Sequence, residues 1–491
     1  MKSSATALCL ATLCLAAANA ACAQISSFQH VIIVVQENRT PDNLFYGLCQ
    51  PPYGDESSCS TSPTGSQYNI QAHDWLDNTS PTGVTQPTPV VLNSDFDLGH
   101  LHHAFVVQCN ADANGRCRMD GAAAGVCSSM TDACTTTPNP HFKYVDNSTG
   151  NLNPYLDMAT QYGWANYMFQ THQGGSYAGH QFIFGGTAAP TTDDDHLGNF
   201  VSDNGNGPSG NAGCLSPTDG STLVQLIDAN GNEPPSNKIY PCFEHDTVAD
   251  LLQSAGVTWR YYSPGNGSVW TAPTSIDHLC QAKGGKCTGQ DWVNNVDVVS
   301  SDVLTDIANC NLRQVSWVMP SGFNSDHAGN VDGGGGPAWV ASIVNAIGNS
   351  WSDSNQKCDY WGNNTNDSTA IIVTWDDWGG WYDHEPPVIM PYPEGGYQRG
   401  FRVPMLAISA YTPAKYVTNN RFEFGSVIRF VEQNYGIPEG SLTFSDARAR
   451  SDLKTFFNLN RIPRPFVTIA SPHDANYFRN DTRPQSDPDD D

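Results

Sequence analysis

Short runs of apolar, mostly β-branched residues recur along the chain and predict buried strands. Each run is six or seven residues long and almost continuously apolar, which is typical of a strand covered on both faces. The five runs are His30–Val35, Val257–Tyr262, Val315–Pro320, Ala370–Trp375 and Pro404–Ala410.

Three other stretches have apolar residues three and four positions apart, the periodicity of an amphipathic helix. They are Thr247–Ala255, Ala338–Ile347 and Ser426–Tyr435. Thr247 and Ser426 are predicted N-caps. Each stretch is followed by a glycine, the residue that commonly ends a helix, at Gly256, Gly348 and Gly436. The alternation of strands and helices predicts an α/β fold with a mainly parallel sheet that helices cover on both sides.

Long tracts rich in Gly, Ser, Thr, Asn and Pro separate these elements. They cover roughly residues 50–93, 110–153 and 187–237 and contain many of the cysteines, so we expect surface loops held by disulfides. The pattern favours one folded domain over residues 24–470 with long insertions. Residues 471–491 are polar and acidic and are predicted to be a disordered tail.

The first residues resemble an export signal. One lysine precedes an apolar run from Ala5 to Ala18, and small residues follow up to Ala23, which predicts a cleaved signal peptide over residues 1–23. The run has about 14 residues, whereas a membrane-spanning helix needs about 20. The residues before Cys22 are not a leucine-led lipobox. We therefore expect a secreted or periplasmic protein without a stable membrane anchor.

The cysteines support export. Three of the 15 cysteines lie in the predicted signal, which leaves twelve, an even number. In an oxidising compartment such a set predicts six disulfides, although the pairing cannot be deduced from the sequence. A structural zinc site is the alternative, and the lack of a Cys-x-x-Cys pair argues against it. The twelve are Cys49, Cys59, Cys109, Cys117, Cys127, Cys134, Cys214, Cys242, Cys280, Cys287, Cys310 and Cys358.

The charge balance restricts the choice of partner. The chain has 49 acidic and 23 basic residues, a formal net charge of −26. Such a surface repels phosphate backbones, so we expect no nucleic-acid partner and no electrostatic docking to anionic lipid. A phosphate ester would be attracted only by a local cation, such as a bound metal.

Two predicted strands end in oxygen-bearing side chains. Glu37 and Asn38 follow the first run, and Asp376 and Asp377 follow the fourth. The carboxyl ends of parallel strands form the ligand crevice of α/β sheets, and adjacent carboxylates are costly unless a cation lies between them. The alternatives are a polar turn with a glycosylation sequon at Asn38 and a solvated Asp-Asp turn, although four aromatic residues interleave with the acids after Thr374.

A hydroxyl and several histidines complete the candidate chemistry. Ser176 follows two glycines, and a tightly turned backbone of this kind can expose a serine oxygen for attack, although loops of this composition are often without function. Imidazoles can contact phosphoryl oxygens and protonate a leaving group near neutral pH. The histidines in polar, glycine-rich or strand-end contexts are His100, His102, His103, His245, His327 and His384.

Taken together, these segments resemble the phosphoesterase family of bacterial phospholipases C and related acid phosphatases, within the alkaline phosphatase superfamily. The resemblance covers roughly residues 28–459. It is carried by Gln36–Arg39, Leu252–Tyr262, Val315–Pro320, Thr374–His384, Arg402–Pro404 and Ser426–Glu432. It implies an alkaline-phosphatase-like α/β/α sandwich and identifies residues 24–470 as a phosphoesterase catalytic domain.

The resemblance also implies roles for individual residues. One divalent metal ion would be held by Glu37, Asn38, Asp376 and Asp377, with Ser176 as the nucleophile. His100, His327 and His384 would contact phosphoryl oxygens or protonate the departing alcohol. Oxygen ligands favour calcium, magnesium or manganese, and zinc also accepts carboxylates.

The chain departs from the family at Ser176-Tyr-Ala-Gly-His180, where members often have threonine followed by a Pro-Asn step, so the resemblance assigns no role to His180. The longer phospholipases append C-terminal β domains, which are not expected here.

Three functions fit these observations. The first is phospholipase C-type cleavage of a phosphate ester, such as a phospholipid head group. The second is an acid phosphatase that uses the same site on phosphomonoesters. The third is a secreted binding protein that has lost catalysis. Sulfate esters are disfavoured because the sequence has no Cys-x-Pro-x-Arg signature.

Overall fold

The computed structural model describes residues 25–128, 133–202, 212–351, 358–362, 367–388 and 399–487. The predicted signal peptide lies outside these residues. Among the described residues, none of the helices has both the length and the apolar character that crossing a lipid bilayer requires.

An eight-stranded sheet lies at the centre of the described chain. Its strands are β1 (His30–Gln36), β2 (Gly163–Phe169), β3 (Trp259–Tyr262), β4 (Val296–Asp297), β5 (Val315–Val318), β6 (Thr369–Trp375), β7 (Met405–Ile408) and β8 (Tyr416–Glu423). They are arranged in the order β4-β3-β5-β1-β6-β7-β2-β8. Only β7 runs antiparallel to its neighbours in this sheet, so the predicted mainly parallel sheet is confirmed.

The five predicted strands are β1, β3, β5, β6 and β7, and three further strands were not predicted. β2 contains Asn166 and no β-branched residue, and β8 has the polar sequence Thr418-Asn-Asn-Arg421 at an irregular edge of the sheet. β4 has two residues. Neither β2 nor β8 therefore shows the continuous apolar run by which a buried strand is recognised.

Helices cover both faces of the sheet. The helices used below are α1 (Asn153–Gln161), α2 (Ser176–Gly185), α3 (Val248–Ser254), α4 (Asp302–Ala308), α5 (Gly336–Gly348), α6 (Phe424–Tyr435) and α7 (Ala475–Arg479). α5 contacts α1, α4 and α7, whereas α2 contacts α3 and α6. Every residue of β6 is buried, as expected for a strand between two helical layers. The α/β/α arrangement is therefore confirmed.

The predicted helices α3, α5 and α6 are present, but two of their predicted ends differ. Thr247 is the N-cap of α3, and Gly256 and Gly436 have left-handed φ angles of 70° and 71°. The N-cap of α6 is Glu423, and Ser426 is instead the third helical residue, whose hydroxyl accepts from the Glu423 backbone N–H. Gly348 lies inside α5, which Asn349 caps.

The tail also differs from the expectation. Within residues 471–487, α7 lies against α5, and Phe478 is 1% exposed with its ring 5.3 Å from that of Trp339. Phe478 and the partly buried Ala475 pack against the core, and burial of this apolar surface holds this part of the tail against the domain.

The twelve cysteines form six disulfides, as predicted, which excludes the zinc alternative for them. Five pairs close loops of 7 to 28 residues, and one joins cysteines 48 residues apart. The pairs are Cys49–Cys59, Cys109–Cys117, Cys127–Cys134, Cys214–Cys242, Cys280–Cys287 and Cys310–Cys358.

The insertions contain short elements of their own. The small strands are Trp75–Leu76, Val84–Thr85, Thr88–Val90, Lys143–Val145, Phe200–Val201, Val224–Ile227, Lys238–Ile239, Ala282–Lys283 and Lys286–Cys287. The other α-helices are Pro41–Leu44, His102–Cys109, Ala133–Thr136, Thr192–Leu197, Asp277–Cys280, Gln290–Asn295 and Ser445–Arg448. The 3-10 turns are Tyr46–Cys49, Glu56–Ser58, Ala122–Ala124, Gly213–Leu215, Ala272–Ser275, Gly322–Asn324 and Leu453–Phe456.

Candidate active site

The ends of β1 and β6 stay paired beyond the strands themselves. Gln36 lies opposite Trp375 in the parallel register. The Asp376 N–H donates to the Gln36 carbonyl at 3.0 Å, and the Arg39 N–H donates to the Asp377 carbonyl at 3.1 Å. The two residues between Gln36 and Arg39 are therefore held beside the paired aspartates.

The four residues predicted as metal ligands converge at this edge of the sheet, and all four are fully buried. Asn38 has a left-handed backbone with a φ of 55°, and its N–H donates to Asp376 Oδ1 at 3.1 Å. The Asp377 N–H donates to the same oxygen at 2.8 Å. Trp270 Nε1 donates to Glu37 Oε2. Among the described residues, Glu37 Oε1 and Asp376 Oδ2 have no hydrogen-bond partner.

The Gly-Gly-Ser loop brings Ser176 to the same place. Ser176 is the first residue of α2, and its Oγ lies 3.2 Å from Asp377 Oδ2 and 3.3 Å from Asn38 Oδ1. A Cβ on Gly174 would lie 2.2 Å from the Ser202 carbonyl oxygen, so the loop requires glycine at that position. The structure thus brings the predicted nucleophile and the predicted ligands together.

His100 and His327 lie beside this cluster, with their rings 5.8 Å apart. His100 Nδ1 donates to the Leu98 carbonyl at 2.7 Å, which leaves its Nε2 to accept from Asn38 Nδ2 at 3.2 Å. His327 Nδ1 donates to the Ala328 carbonyl at 2.5 Å. Both rings are therefore fixed by a backbone carbonyl next to the proposed reaction centre.

His384 lies in a different buried cluster. Its Nδ1 contacts Asp42 Oδ2 at 2.7 Å and its Nε2 contacts Asn69 Oδ1 at 2.8 Å. Burial alone would raise the pKa of Asp42, but the charges of His384 and Arg402 lower it. Because both ring nitrogens contact these two side chains, the position of His384 does not support its predicted contact with the phosphoryl group.

His180 also lies in this site, although the sequence analysis assigned it no role. It lies one helical turn after Ser176, and its Nε2 is 3.6 Å from both Glu37 Oε1 and Asp376 Oδ2. One potential ligand atom from each of Glu37, His180 and Asp376 falls within 4.8 Å of the other two.

The electrostatics of the cluster fit a bound cation. Burial raises the pKa of Glu37 well above its usual value, and the charge of Asp376 raises it further. Burial and Asp376 also raise the pKa of Asp377, which His100 and His327 lower only in part. Burial lowers the pKa of His180 to about 4, so its ring is neutral at physiological pH. Buried carboxylates packed together are stable as anions only if positive charge neutralises them, and the donor set therefore fits a divalent ion.

Comparison with known proteins identifies the family of the chain. The family model described as the Phosphoesterase family matches residues 28–438, most of the chain. The chain belongs to the phosphoesterase family. It is 26% identical over 263 residues to the non-hemolytic phospholipase C of Pseudomonas aeruginosa, covering 47% of this chain and 36% of that protein. It is 24% identical over 247 residues to phospholipase C A of Mycobacterium tuberculosis, covering 45% of each.

These matches span less than half of the length of either phospholipase. Among solved structures, the chain is similar to an alkaline phosphatase superfamily protein from Vibrio parahaemolyticus. That match has a TM-score of 0.30 and 12% identity, and it covers 72% of this chain and 66% of the other.

Several residues around the site carried no usable signal in the sequence. Trp270 lies in a Gly/Ser-rich loop with nothing to link it to Glu37, and Asp42 and Asn69 are ordinary polar residues until the fold places them on His384. Arg402, which holds Asp383 through two hydrogen bonds of 2.8 Å, belongs to a segment that carried the resemblance but had no assigned role.

Proposed function

We propose that the protein is a secreted, metal-dependent phosphoester hydrolase of the phospholipase C type, with Ser176 as its nucleophile. The observation that carries this proposal is the position of Ser176 Oγ, 3.2 Å from Asp377 at the sheet edge where Glu37, Asn38 and Asp376 also converge. Membership of the phosphoesterase family and the similarity to phospholipases C support it.

Glu37, Asn38, Asp376 and Asp377 would hold one divalent ion. When bound, the ion would offset the charge of the buried carboxylates, lower the pKa of the serine hydroxyl and attract an anionic substrate that the rest of the protein repels. The oxygen donors of these four residues suit calcium, magnesium, manganese or zinc.

The side chains around Ser176 prepare it for attack. Asp377 and Asn38 accept from its hydroxyl and so hold Oγ in one position. In the proposed reaction Oγ gives up its proton and forms a bond to phosphorus, while the bond from phosphorus to the leaving oxygen breaks and that oxygen takes up a proton. This gives a free alcohol and a phosphorylated serine, which keeps the second ester group when the substrate is a phosphodiester. Water then cleaves the phosphoserine and restores the hydroxyl.

His100 and His327 would act on the phosphoryl group. Their charges lower the pKa of Asp377, and each ring is anchored through Nδ1, so Nε2 is the nitrogen available for the chemistry. Because Nδ1 already carries a hydrogen, Nε2 can donate only from the protonated ring. As an imidazolium it can hydrogen-bond an equatorial phosphoryl oxygen or give a proton to the departing alcohol, and for His100 this requires the hydrogen bond from Asn38 to break. We assign no such role to His384, because its partners are Asp42 and Asn69.

Replacing Ser176 with alanine tests the proposal. We expect Ser176→Ala to lower kcat by at least about a thousandfold, because the attacking oxygen is removed, and to leave the metal content unchanged. Metal content would be measured by mass spectrometry of the purified protein, and turnover with a chromogenic choline phosphodiester. Full activity of the variant would exclude Ser176 as the nucleophile.

The same assay separates the two phosphoesterase functions. A phospholipase C-type enzyme should have a higher kcat/KM for the choline phosphodiester than for a chromogenic phosphate monoester. A preference for the monoester would instead indicate an acid phosphatase. No turnover of either ester by metal-loaded protein would indicate a binding protein.

Export accounts for the six disulfides of the described chain, because they form in an oxidising compartment. If residues 1–23 are a cleaved signal, N-terminal sequencing of the exported protein should begin at Gln24. A mature protein that retains the apolar run from Ala5 would contradict this.

A further inference from the structure

A buried histidine faces the two carboxylate oxygens that lack hydrogen-bond partners. His180 follows Ser176 by four residues on α2, so both side chains project from the same face of the helix. The His180 side chain is fully buried, and neither of its ring nitrogens has a hydrogen-bond partner among the described residues. Buried polar groups are rarely left in this state unless a water or an ion satisfies them.

The distances indicate a shared ion rather than direct hydrogen bonds. His180 Nε2 lies 3.6 Å from both Glu37 Oε1 and Asp376 Oδ2. A hydrogen bond between nitrogen and oxygen would be about 2.7–3.2 Å long. Two ligands bonded at about 2.1 Å to one tetrahedral ion lie roughly 3.4 Å apart. The two distances from His180 therefore match those between ligands of a common ion, and the two carboxylates offer ligand atoms within 4.8 Å of each other.

The backbone beside His180 is shaped for this approach. A Cβ on Gly179 would lie 3.0 Å from the Asp376 carbonyl oxygen and 2.9 Å from His172 Nε2. The absence of a side chain there lets α2 pack closely against the end of β6, which brings the His180 ring to the carboxylates. The Glu37 carboxylate is fixed in turn by the donor Trp270.

We propose that His180 binds the metal ion through Nε2, together with Glu37 and Asp376, and that this nitrogen ligand selects a first-row transition metal such as zinc over calcium or magnesium. The proposal rests on the metal site of the proposed function. An imidazole is a poor ligand for the hard cations calcium and magnesium but a common ligand for zinc and iron, so one nitrogen among oxygen donors changes the metal preference of the site.

Electron spin echo spectroscopy of the manganese-loaded protein tests the ligand directly. We expect the wild type to show the nitrogen-14 coupling of a bound imidazole and His180→Gln to lack it. His245→Gln is the matched control, because His245 is also buried, contacts the other end of α2 beside Gly185 and should leave the coupling intact. A wild type without the coupling, or a His180→Gln variant that keeps it, would overturn the proposal.

Metal competition tests the selectivity. We expect His180→Gln to lose at least about tenfold in zinc affinity, because loss of a mere hydrogen-bond partner of a metal ligand already costs about tenfold or more, while its calcium and magnesium affinities change by less than about threefold. Equal losses for all three ions would overturn the selectivity. Should His180→Gln fail to fold, as judged by circular dichroism, the wild-type spin echo result still decides whether an imidazole is bound.

The outcomes separate this inference from the proposed function. A metal-dependent hydrolase without imidazole coupling would disprove the histidine ligand and leave the proposed function standing. A protein that shows the coupling but hydrolyses neither ester would support the histidine ligand and disprove the proposed function.

Discussion

Gly379 joins the paired aspartates to the rest of the site through a backbone that few other residues can adopt. Its φ is 62°, and a Cβ at this position would lie 2.4 Å from the Asn38 carbonyl oxygen. We expect Gly379→Ala to destabilise the protein by about 2 kcal/mol or more and to lower kcat/KM at least about tenfold. The loss of activity follows because Asn38 must move. Urea denaturation and steady-state kinetics measure the two effects.

Gly256 provides the matched control for that substitution. It has a similar φ of 70°, but a Cβ there would meet no atom within 4 Å. Gly256→Ala should therefore show only the conformational cost, about 1 kcal/mol, with unchanged kinetics. If both variants behaved alike, contact with Asn38 would not explain the role of Gly379.

At the residue scale, the sequence predicted the convergence of the four proposed ligands better than it predicted their surroundings. Glu37, Asn38, Asp376 and Asp377 were recognisable because polar residues directly follow apolar strands, and parallel strands place their ends together. His384 follows the same strand in sequence, yet the chain turns after Gly379 and Gly380 and takes it to Asp42. Only the three-dimensional path of the turn shows that the paired aspartates stay at the site while His384 leaves it.

At the scale of elements, the junction between β8 and α6 depends on one buried carboxylate. Glu423 caps α6 and is bound by Arg399 and Arg448, each with a nitrogen 2.6 Å from a carboxylate oxygen. We expect Glu423→Gln to lower the free energy of unfolding by about 3 kcal/mol near neutral pH, because two largely buried arginines lose their counter-ion. Chemical denaturation measures this difference.

The effect of Glu423 should depend on pH. Burial alone would raise its pKa, but the charges of Arg448 and Arg399 lower it below the usual 4.5. A carboxylate with a lowered folded-state pKa stabilises the protein above its unfolded-state pKa, and this stabilisation is lost as the pH falls through the folded-state value. The difference between wild type and Glu423→Gln should therefore shrink as the pH falls below about 4.5, the usual pKa of a glutamate. Glu439→Gln, at the more exposed pair with Arg429, should change stability little at neutral or at acidic pH.

The elements that the sequence did not predict share a physical cause. β2 and β8 are stabilised by pairing with each other, and β2 is also largely buried, so neither strand depends on an apolar run of its own. Arg402 illustrates the same dependence, since its guanidinium satisfies the carbonyls of Asn69 and Asn166 beside β2. Such non-local contacts override local propensity and leave little trace in a single sequence.

At the scale of the whole molecule, the sequence predicted the class of fold and the disulfide count but not the pairing or the docked tail. Strands that alternate with helices can pack in few ways other than as a parallel sheet covered by helices, so the class of fold can be predicted. The pairing of cysteines depends on how the insertions fold, and the contact between Phe478 and Trp339 depends on where α5 lies. These features follow from tertiary packing, which leaves no periodic pattern in the sequence.

The net charge of −26 leads to a prediction about salt. The field of the whole protein repels an anionic ester, while the proposed metal attracts it only at short range. Raising the ionic strength from about 0.01 M to 0.15 M shortens the Debye length from about 30 Å to 8 Å, which screens the long-range repulsion more than the contact at the site. We therefore expect kcat/KM for a doubly charged phosphate monoester to rise roughly twofold or more with potassium chloride, at constant metal loading.

The choline phosphodiester serves as the control within the same experiment. Its phosphate and its quaternary ammonium cancel, so the net field exerts little force on it, and its kcat/KM should change much less with salt. Comparing the two substrates removes any effect of salt on folding or metal binding, because such an effect would alter both rates. A monoester rate that falls with salt would mean that positive charge at the site, rather than the acidic surface, governs the approach of the substrate.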